Sequence, residues 1–331
     1  MNAQTICQFC EAECSYLYPV RLKENKSGFY VCKKCASCQV SPAFSEEELI
    51  KNYEEDYFQA ENWEIKKARI LAIDYFGKVL KSKPKAHFHG RALEIGAGFG
   101  YYAELFHKTT SVPVDVVEPS NACIDVIKKM NFGGDHFKRI QDIHPDVQYD
   151  EIFCFHVAEH FQRFDILISA VTNRLKIGGR FWILTPNGAS TSFSRFRLDW
   201  GWANPTQHYE FLTQSISQNY FYRHSLKIIS IMDVSPAVIH YPSVILSLLN
   251  ILIRNSSESI KSKHGVAEIA HRAVRKISRI FSIFFVQNKT NWNLCMIEKA
   301  ISKILSRRPF DELFIVLEKL NSKEIQKKIE Q

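Results

Sequence analysis

Four of the nine cysteines form two closely spaced pairs near the N-terminus. Cys7 and Cys10 make one C-x-x-C pair, Cys32 and Cys35 make another, and 21 residues separate the two. Thiolates at this spacing can reach one tetrahedral Zn²⁺ ion while the intervening chain folds as a hairpin. Four cysteine ligands leave no open position on the metal. We therefore expect a structural zinc ion that holds residues 1–45 as a small zinc-ribbon-like domain.

Two further cysteines lie beside these pairs. Cys14 follows Cys10, and Cys38 follows Cys35, so either thiol could replace a neighbour as a ligand. Neither has a matching second partner at a comparable spacing. We expect both to lie outside the metal site.

A glycine-rich segment follows a short apolar run in the middle of the chain. Residues 92–95 have the composition of a buried strand, and the apolar spacing after Gly100 predicts a helix. A strand, a glycine loop and a helix together present backbone N–H groups to a ligand at the carboxyl end of a parallel sheet. The spacing differs from the G-x-G-x-x-G of dinucleotide folds, because the third glycine comes one residue early and Glu94 precedes Gly96 by two.

The elements that must position this loop alternate from Arg91 onward. Strands are predicted at 93–95, 114–118, about 137–140, 151–155, 180–184 and 226–234. Helices are predicted at 101–108, 120–130 and 166–175. Repeated β-α units with continuous apolar strands predict an α/β fold with a Rossmann-like, doubly wound parallel sheet.

Two acidic residues are predicted to end strands of this sheet. Glu118 comes 24 residues after Glu94 and ends the second strand, where a carboxylate can accept hydrogen bonds from both hydroxyls of a ribose. Asp142 follows the third strand and could accept a hydrogen bond from an adenine amino group. The alternative for both is a solvated acid in a surface turn.

Four segments together resemble the motifs of the class I S-adenosylmethionine (SAM) methyltransferases. They are E-x-G-x-G-x-G from Glu94, CFHVAEHF (154–161), LKIGGRFWILTPN (175–187) and PTQHYEFLT (205–213). The cysteine-rich start followed by SEEEL and YEEDYF is similar to an arrangement in bacterial methyltransferases from surface-glycan gene clusters. The resemblance covers roughly residues 1–235. It implies methyl transfer from SAM to oxygen, nitrogen or carbon of a small-molecule, glycan or nucleotide-sugar acceptor, as in polysaccharide biosynthesis.

The resemblance also implies a set of cofactor-binding residues. Ala97 stands where cysteine is common in the family, and Gln207 stands where glutamate is frequent. The implied set is Glu94, Gly96, Ala97, Gly98, Gly100, Glu118, Pro119, Asp142, Ile143, His156 and Val157.

Two histidines are candidates for the chemistry at the acceptor. Methyl transfer from SAM is an in-line displacement, so the enzyme mainly positions two reactants. A hydroxyl acceptor additionally benefits from a general base with a pKa near neutrality, which histidine provides. His208 and His160 are the candidate catalytic residues. The alternative is that each histidine only supports its loop.

The remaining segments are expected to be largely helical. Residues 46–90 form a connector, and 91–300 form the methyltransferase domain with its last strand at 291–299. An insertion at about 236–289 contains a basic amphipathic helix, 265–286. That helix either covers the substrate pocket or contacts an anionic membrane peripherally. Residues 301–331 are expected to form a helical tail.

The net charge of +8 is concentrated at one end of the chain. Residues 254–331 contain 16 Lys/Arg against 8 Asp/Glu, whereas the preceding 253 residues contain 27 of each. A nucleic-acid partner is not expected, because the part of the chain with the glycine loop carries no net charge. RNA methylation stays as an alternative, as does a zinc-ribbon interaction protein that has lost activity.

The expected compartment follows from what the sequence lacks. No apolar run approaches the roughly 20 residues that span a bilayer, and no signal peptide is visible at the N-terminus. Clustered cysteines in a reducing compartment more often bind metal than form disulfides. We expect a cytoplasmic protein, with the inner membrane face as the place of any peripheral contact.

Overall fold

The computed structural model describes residues 5–22, 25–45, 62–190, 193–194, 200, 202–203, 207–234 and 311–329. The chain forms two compact units. The first consists of Met1–Gly188, Pro205–Asp233 and Leu313–Gln331, and the second of Ala189–Asn204 and Val234–Glu312. In the second unit, the rings of Phe193 and Trp200 lie 5.2 Å apart. The predicted insertion, its basic helix and the predicted strand at 291–299 lie outside the described residues.

The described strands and helices alternate through most of the first unit. The strands are β1 (Cys14–Leu22), β2 (Asn25–Cys32), β3 (Cys38–Ser41), β4 (Ala92–Ile95), β5 (Val114–Val117), β6 (Gly133–Phe137), β7 (Tyr149–Phe155), β8 (Leu175–Pro186), β9 (Glu210–Phe211), β10 (Leu226–Val234) and β11 (Glu312–Lys319). The helices are α1 (Asn62–Ser82), α2 (Tyr101–Thr110), α3 (Asn121–Ile127), α4 (Phe164–Arg174), α5 (Gln218–Tyr222) and α6 (Ser322–Ile329).

Seven strands form the central sheet, in the order β10-β11-β8-β7-β4-β5-β6. The neighbours from β6 to β8 are parallel, and Ile95 at the end of β4 lies beside both Val117 and Cys154. Every residue of β4 and β5 is buried, which agrees with a parallel sheet covered on both faces. Strand order reverses between β4 and β7, and such switch points hold ligands in open α/β sheets. The predicted Rossmann-like α/β fold is confirmed.

Two strands differ from the sequence-based prediction. The third strand of the domain is Gly133–Phe137 instead of 137–140. None of its residues is fully buried, so it lacks the apolar run that marks a central strand. The fifth strand of the domain, β8, begins at Leu175 instead of Arg180. The residues between these two form a bulge in the pairing with β7 instead of a separate turn.

The strand that completes the sheet comes later in the chain than predicted. It is Glu312–Lys319, between β8 and β10, so the predicted helical tail contains a central strand followed by one helix. Residues 313–317 are buried and form a continuous apolar run, typical of a central strand. Lys319 ends the strand and donates hydrogen bonds of 2.6 Å to the backbone carbonyls of Thr172 and Leu175. The sequence analysis placed the closing strand at 291–299 because that segment has a similar apolar pattern with a terminal lysine.

A second sheet contains the cysteine-rich N-terminus. Strands β1 and β2 form the expected hairpin, β3 pairs with β2, and β9 joins as the fourth strand. Cys38 pairs with Phe211 and Gln39 with Glu210. The sequence placed a domain boundary near residue 45, but this sheet belongs to the same compact unit as the central one.

The two sheets share a hydrophobic core. The ring of Phe9 lies 5.8 Å from that of Phe164 in α4 and 5.2 Å from that of Tyr220 in α5. Among the described helices, none is long and apolar enough to cross a membrane.

Candidate functional site

The glycine loop connects β4 to α2 and requires glycine at two positions for different reasons. Gly96 has a φ of +69°, and a Cβ there would lie 2.2 Å from Cγ2 of Val157. Gly98 has a φ of +53°, and no atom of the described residues lies within 4 Å of the Cβ it would carry. A side chain is therefore excluded at Gly96 by packing, whereas the space above Gly98 is open to a ligand. Ala97 and Gly100 complete the loop, with Gly100 N–H donating to the Ala97 carbonyl at 2.9 Å.

Two buried carboxylates hold this loop. Glu94 is 5% exposed and accepts a hydrogen bond from the Ala103 N–H at 3.1 Å, in the first turn of α2. Burial raises the pKa of Glu94 well above its usual value. Glu94 therefore bonds to the start of helix α2.

Glu118 comes directly after β5 and is only 2% exposed. Its carboxylate accepts hydrogen bonds of 2.8 Å from the N–H groups of Gly98 and Ser120. Burial raises the pKa of Glu118 to about 7, although both hydrogen bonds oppose the rise. A carboxylate thus lies at the carboxyl end of β5, against the open side of the glycine loop. The neighbouring Pro119 is exposed.

Asp142 and Ile143 follow β6 in a short 3₁₀ turn. Asp142 is exposed and accepts hydrogen bonds from the side chain and backbone of Arg139, which hold its pKa below the usual value. Ile143 is 1% exposed. The turn places an acidic side chain at the surface and an apolar one in the core.

The loop after β7 packs against the glycine loop through Val157. His156 has a φ of +54°, its N–H donates to the Leu184 carbonyl at 2.7 Å, and its Nδ1 lies 3.5 Å from Oε1 of Glu159. A 3₁₀ turn from Ala158 to His160 follows. The imidazole of His156 thus points towards Glu159.

Glu159 is a buried carboxylate surrounded by imidazoles. It is 1% exposed, and its Oε2 accepts a 3.0 Å hydrogen bond from Thr185 Oγ1. Burial would raise its pKa, but His156, His160 and His208 outweigh that effect and lower it to about 2. The carboxylate of Glu159 therefore stays charged inside the protein.

His160 and His208, predicted separately from the sequence, come together at Glu159. Their ring centroids lie 4.9 Å apart, and one potential ligand atom from each of the three residues lies within 4.8 Å of the others. His160 Nδ1 lies 2.9 Å from the Gln207 carbonyl oxygen. A carbonyl only accepts, so Nδ1 carries the proton and Nε2 the lone pair.

The segment that carries His208 is held between the two sheets. Tyr209 N–H donates to the Glu159 carbonyl at 2.7 Å, and Val40 N–H donates to the Tyr209 carbonyl at 3.0 Å. Gln8 donates a side-chain hydrogen bond to Glu210, which is fully buried. The cysteine-rich segment therefore bonds to the two residues that directly follow His208.

The four paired cysteines lie together as the spacing predicted. Cys7 and Cys35 have their sulfurs 3.6 Å apart, Cys10 and Cys32 have theirs 3.4 Å apart, and all four lie within 4.8 Å of one another. Tetrahedral Zn–S bonds of about 2.3 Å would separate the sulfurs by about 3.8 Å. These sulfurs are therefore already near a tetrahedral arrangement.

The two neighbouring cysteines lie outside this group. Cys14 is buried without belonging to it, and Cys38 Sγ contacts the Ala36 carbonyl at 3.7 Å.

Sequence reasoning missed Glu159. The signal was present, because Glu159 is an acidic residue in the apolar segment that follows β7, next to His160. Thr185, which donates a hydrogen bond to Glu159, belongs to β8 and carries no sequence signal of its own.

A family model described as a methyltransferase domain matches residues 65–230, which is half of the chain. Comparison with curated protein sequences gives no match.

Several solved structures have a similar fold. A Galdieria sulphuraria protein provisionally named a sarcosine dimethylglycine methyltransferase is 14% identical, with a TM-score of 0.47 over 75% of this chain and 84% of its own. A phosphoethanolamine N-methyltransferase 2 of Haemonchus contortus is 12% identical, with a TM-score of 0.47 over 92% and 71%. A SAM-dependent methyltransferase of Mesorhizobium loti is 11% identical, with a TM-score of 0.42 over 73% and 96%.

Proposed function

The chain belongs to the methyltransferase-domain family and is a SAM-dependent enzyme; on that premise we propose that it methylates a hydroxyl-bearing small molecule, sugar or glycan precursor. The observation that carries the proposal is the buried Glu118 carboxylate beside the open face of the glycine loop at Gly98.

The residues around this loop fit SAM. Glu118 would accept hydrogen bonds from the ribose hydroxyls in place of the Gly98 N–H that it now binds. The N-terminus of α2 supplies N–H groups for a carboxylate, and Glu94 holds that terminus by its bond to Ala103. Asp142 and Ile143 would border the adenine. His156 and Val157 would lie beneath the cofactor, where Val157 already packs against Gly96.

The acceptor would meet the cofactor near the glycine loop and the Ala158–His160 turn. Bound SAM supplies a methyl group on a positively charged sulfur. In that transfer the acceptor oxygen would give up its proton to a group of this chain and bond to the methyl carbon, and the carbon–sulfur bond would break with its electrons remaining on sulfur. We assign activation of the acceptor to His208 and His160, because both lie beside the buried Glu159 carboxylate. Glu159 is two residues from Val157, which packs against the glycine loop. An imidazole can promote loss of that proton as a general base or as a metal ligand.

The cysteine cluster would bind one structural zinc ion through Cys7, Cys10, Cys32 and Cys35. Zinc there would hold residues 5–45 in the conformation that bonds to the segment around His208. The metal would act on the acceptor only through that segment.

Two measurements test the proposal. Calorimetry of the full chain with SAM should show binding that Glu118→Ala weakens at least tenfold, whereas Glu104→Ala, on the surface of α2, should bind as the unaltered chain does. Transfer of a labelled methyl group should then occur to members of a panel of sugars and nucleotide sugars. Absence of SAM binding would overturn the assignment, and transfer to RNA alone would favour RNA methylation.

A further inference from the structure

We propose that Glu159, His160 and His208 bind a divalent cation of the zinc, iron or cobalt type, and that this cation holds the acceptor oxygen during methyl transfer. The inference deepens the proposed function and rests on it, because it identifies how the two histidines act. It also narrows the acceptor to one with an oxygen donor.

The first argument is the kind and number of donor atoms. Two imidazole nitrogens and one carboxylate oxygen form a ligand set that binds zinc in hydrolases and iron in oxygenases. Three protein ligands leave at least one position for water or an acceptor oxygen, unlike the cluster of four cysteines. The chain therefore has one closed and one open set of metal-binding residues.

The second argument is distance. A tetrahedral cation with bonds of about 2.1 Å holds its ligand atoms about 3.4 Å apart. The donor atoms of Glu159, His160 and His208 lie within 4.8 Å of one another, so modest side-chain rotations would bring them to those distances. No backbone movement is required, because residues on both sides of His208 are already bonded to the Glu159 segment.

The third argument is the surroundings of the ligands. Metal-binding histidines usually donate their other ring N–H to a carbonyl or carboxylate, which fixes the tautomer. His160 does this through Nδ1 and the Gln207 carbonyl, so Nε2 has the lone pair that a metal needs. The carboxylate of Glu159 is oriented by the hydroxyl of Thr185 at 3.0 Å.

The fourth argument is the burial of Glu159. Its Oε1 makes no well-formed hydrogen bond among the described residues, and its contact with His156 Nδ1 is long, at 3.5 Å. A buried carboxylate oxygen is costly unless it is paired or bound to a metal. A cation between Glu159 and the two histidines would satisfy it.

The site lies beside the proposed cofactor position. Val157, whose side chain packs against Gly96, is two residues from Glu159. An acceptor oxygen bound to the cation would lose its proton more readily, and it would be held near the loop that binds SAM.

The test is the metal content of the full-length protein after dialysis against a buffer that contains Zn²⁺ or Co²⁺ as its only transition metal, followed by removal of unbound metal. We expect about two ions per chain, one in each site, and about one ion in Glu159→Gln and in His208→Ala. His144→Ala is the matched control, because the His144 side chain is exposed and lies beside Asp146, away from Glu159, so the variant should retain both ions.

Cobalt absorption identifies which site is filled. Co²⁺ bound by cysteines absorbs strongly in the near ultraviolet, whereas Co²⁺ bound by nitrogen and oxygen shows only weak visible bands. The weak bands should disappear in His208→Ala and persist in His144→Ala. About one ion per chain in the unaltered protein, with only the strong cysteine bands, would overturn the inference. Equal metal contents in His208→Ala and the unaltered protein would do the same.

SAM binding by the same preparations separates this inference from the proposed function. A chain that binds SAM but holds only the cysteine-bound ion rejects the cation and keeps the methyltransferase, with His208 as a base. A chain that binds two ions but no SAM rejects the proposed function. Folding of each variant is checked by circular dichroism, and His208→Gln replaces any His208→Ala protein that fails to fold.

Discussion

The hydroxyl of Thr213 donates a 2.6 Å hydrogen bond to the backbone carbonyl of Cys35, one of the four clustered cysteines. Thr213 lies five residues after His208 and two residues after Phe211 of β9, which pairs with Cys38. The cysteine cluster and the histidine segment are therefore parts of one bonded structure. A substitution among residues 5–45 should therefore shift the backbone around His208 even when the substituted side chain does not contact His208.

The cysteine cluster provides the first prediction. Cys32→Ser removes a ligand, so the protein should lose the cluster's zinc ion and part of its thermal stability, because the bound metal ties together the two ends of the β1–β2 hairpin. Metal analysis and calorimetric unfolding measure both effects. Cys123→Ala, a buried cysteine of α3 outside the cluster, should retain zinc. Full zinc content in Cys32→Ser would contradict the assignment of this ligand.

The affinity for SAM should depend on pH through Glu118. Ribose hydroxyls donate to the ionised carboxylate, and the pKa of Glu118 in the free protein is raised to about 7. Protonation competes with binding, so affinity should be highest above pH 7 and fall by up to about tenfold for each pH unit below it. Calorimetry from pH 6 to 8 measures the slope. Glu118→Gln should bind weakly and without this slope, and an unchanged slope would show that another group titrates.

Gly96→Ala should destabilise the protein by about 2–4 kcal/mol. The new Cβ would approach Val157 at 2.2 Å, and alanine is strained at a φ of +69°. Gly77→Ala is the matched control, because Gly77 lies inside helix α1 with no described atom within 4 Å of its added Cβ. That substitution should stabilise by about 0.5–1 kcal/mol. Urea unfolding compares the two, and equal stability would mean that the glycine loop can move away from Val157.

His208→Ala should abolish methyl transfer while leaving SAM affinity unchanged. A general base or metal ligand at the acceptor contributes roughly 10²-fold or more to the rate. Transfer of label from SAM to the accepted sugar measures the loss, and calorimetry measures the binding. His144→Ala should behave like the unaltered protein in both. Unchanged turnover would reduce His208 to a support for its loop.

Lys319→Ala tests the position of the closing strand. The ammonium group bonds two carbonyls at the end of α4 and the start of β8, and loss of two such bonds should cost about 2–3 kcal/mol. Lys323→Ala in helix α6 is exposed and should cost little. Equal unfolding midpoints for the two variants would mean that these bonds do not stabilise the sheet.

The sequence predicted the strands and the glycine loop of the central sheet where neighbouring residues alone determine the structure. Strands β4, β5 and β7 are short, mostly apolar segments that each include an acidic residue, and the glycine loop follows from steric limits that apply within a few residues. The third strand failed because Gly133–Phe137 lies at the edge of the sheet with no fully buried residue. The strand at 312–319 was not predicted, because the segments 291–299 and 312–319 are both apolar and both end in lysine. Packing against β8, which selects 312–319, cannot be read from the sequence.

The candidate site shows the same division. His160 and His208 were found by residue type, but their common neighbour Glu159 appears only when the segment around Tyr209 folds onto the Ala158–His160 turn. That arrangement depends on pairing between Cys38 and Phe211, which are far apart in sequence. A single sequence gives no account of such distant pairs.

The place of β11 between β8 and β10 has a consequence for synthesis on the ribosome. Every other described strand of the central sheet has been made by residue 234, yet β11, which joins β10 to the rest, begins 78 residues further on. Until Glu312–Lys319 leaves the exit tunnel, the nascent chain exposes the unpaired edge of β8. A chain that stalls before this point should be a substrate for chaperones and proteases, even though its glycine loop, its four clustered cysteines and the Glu159–His160–His208 cluster are complete.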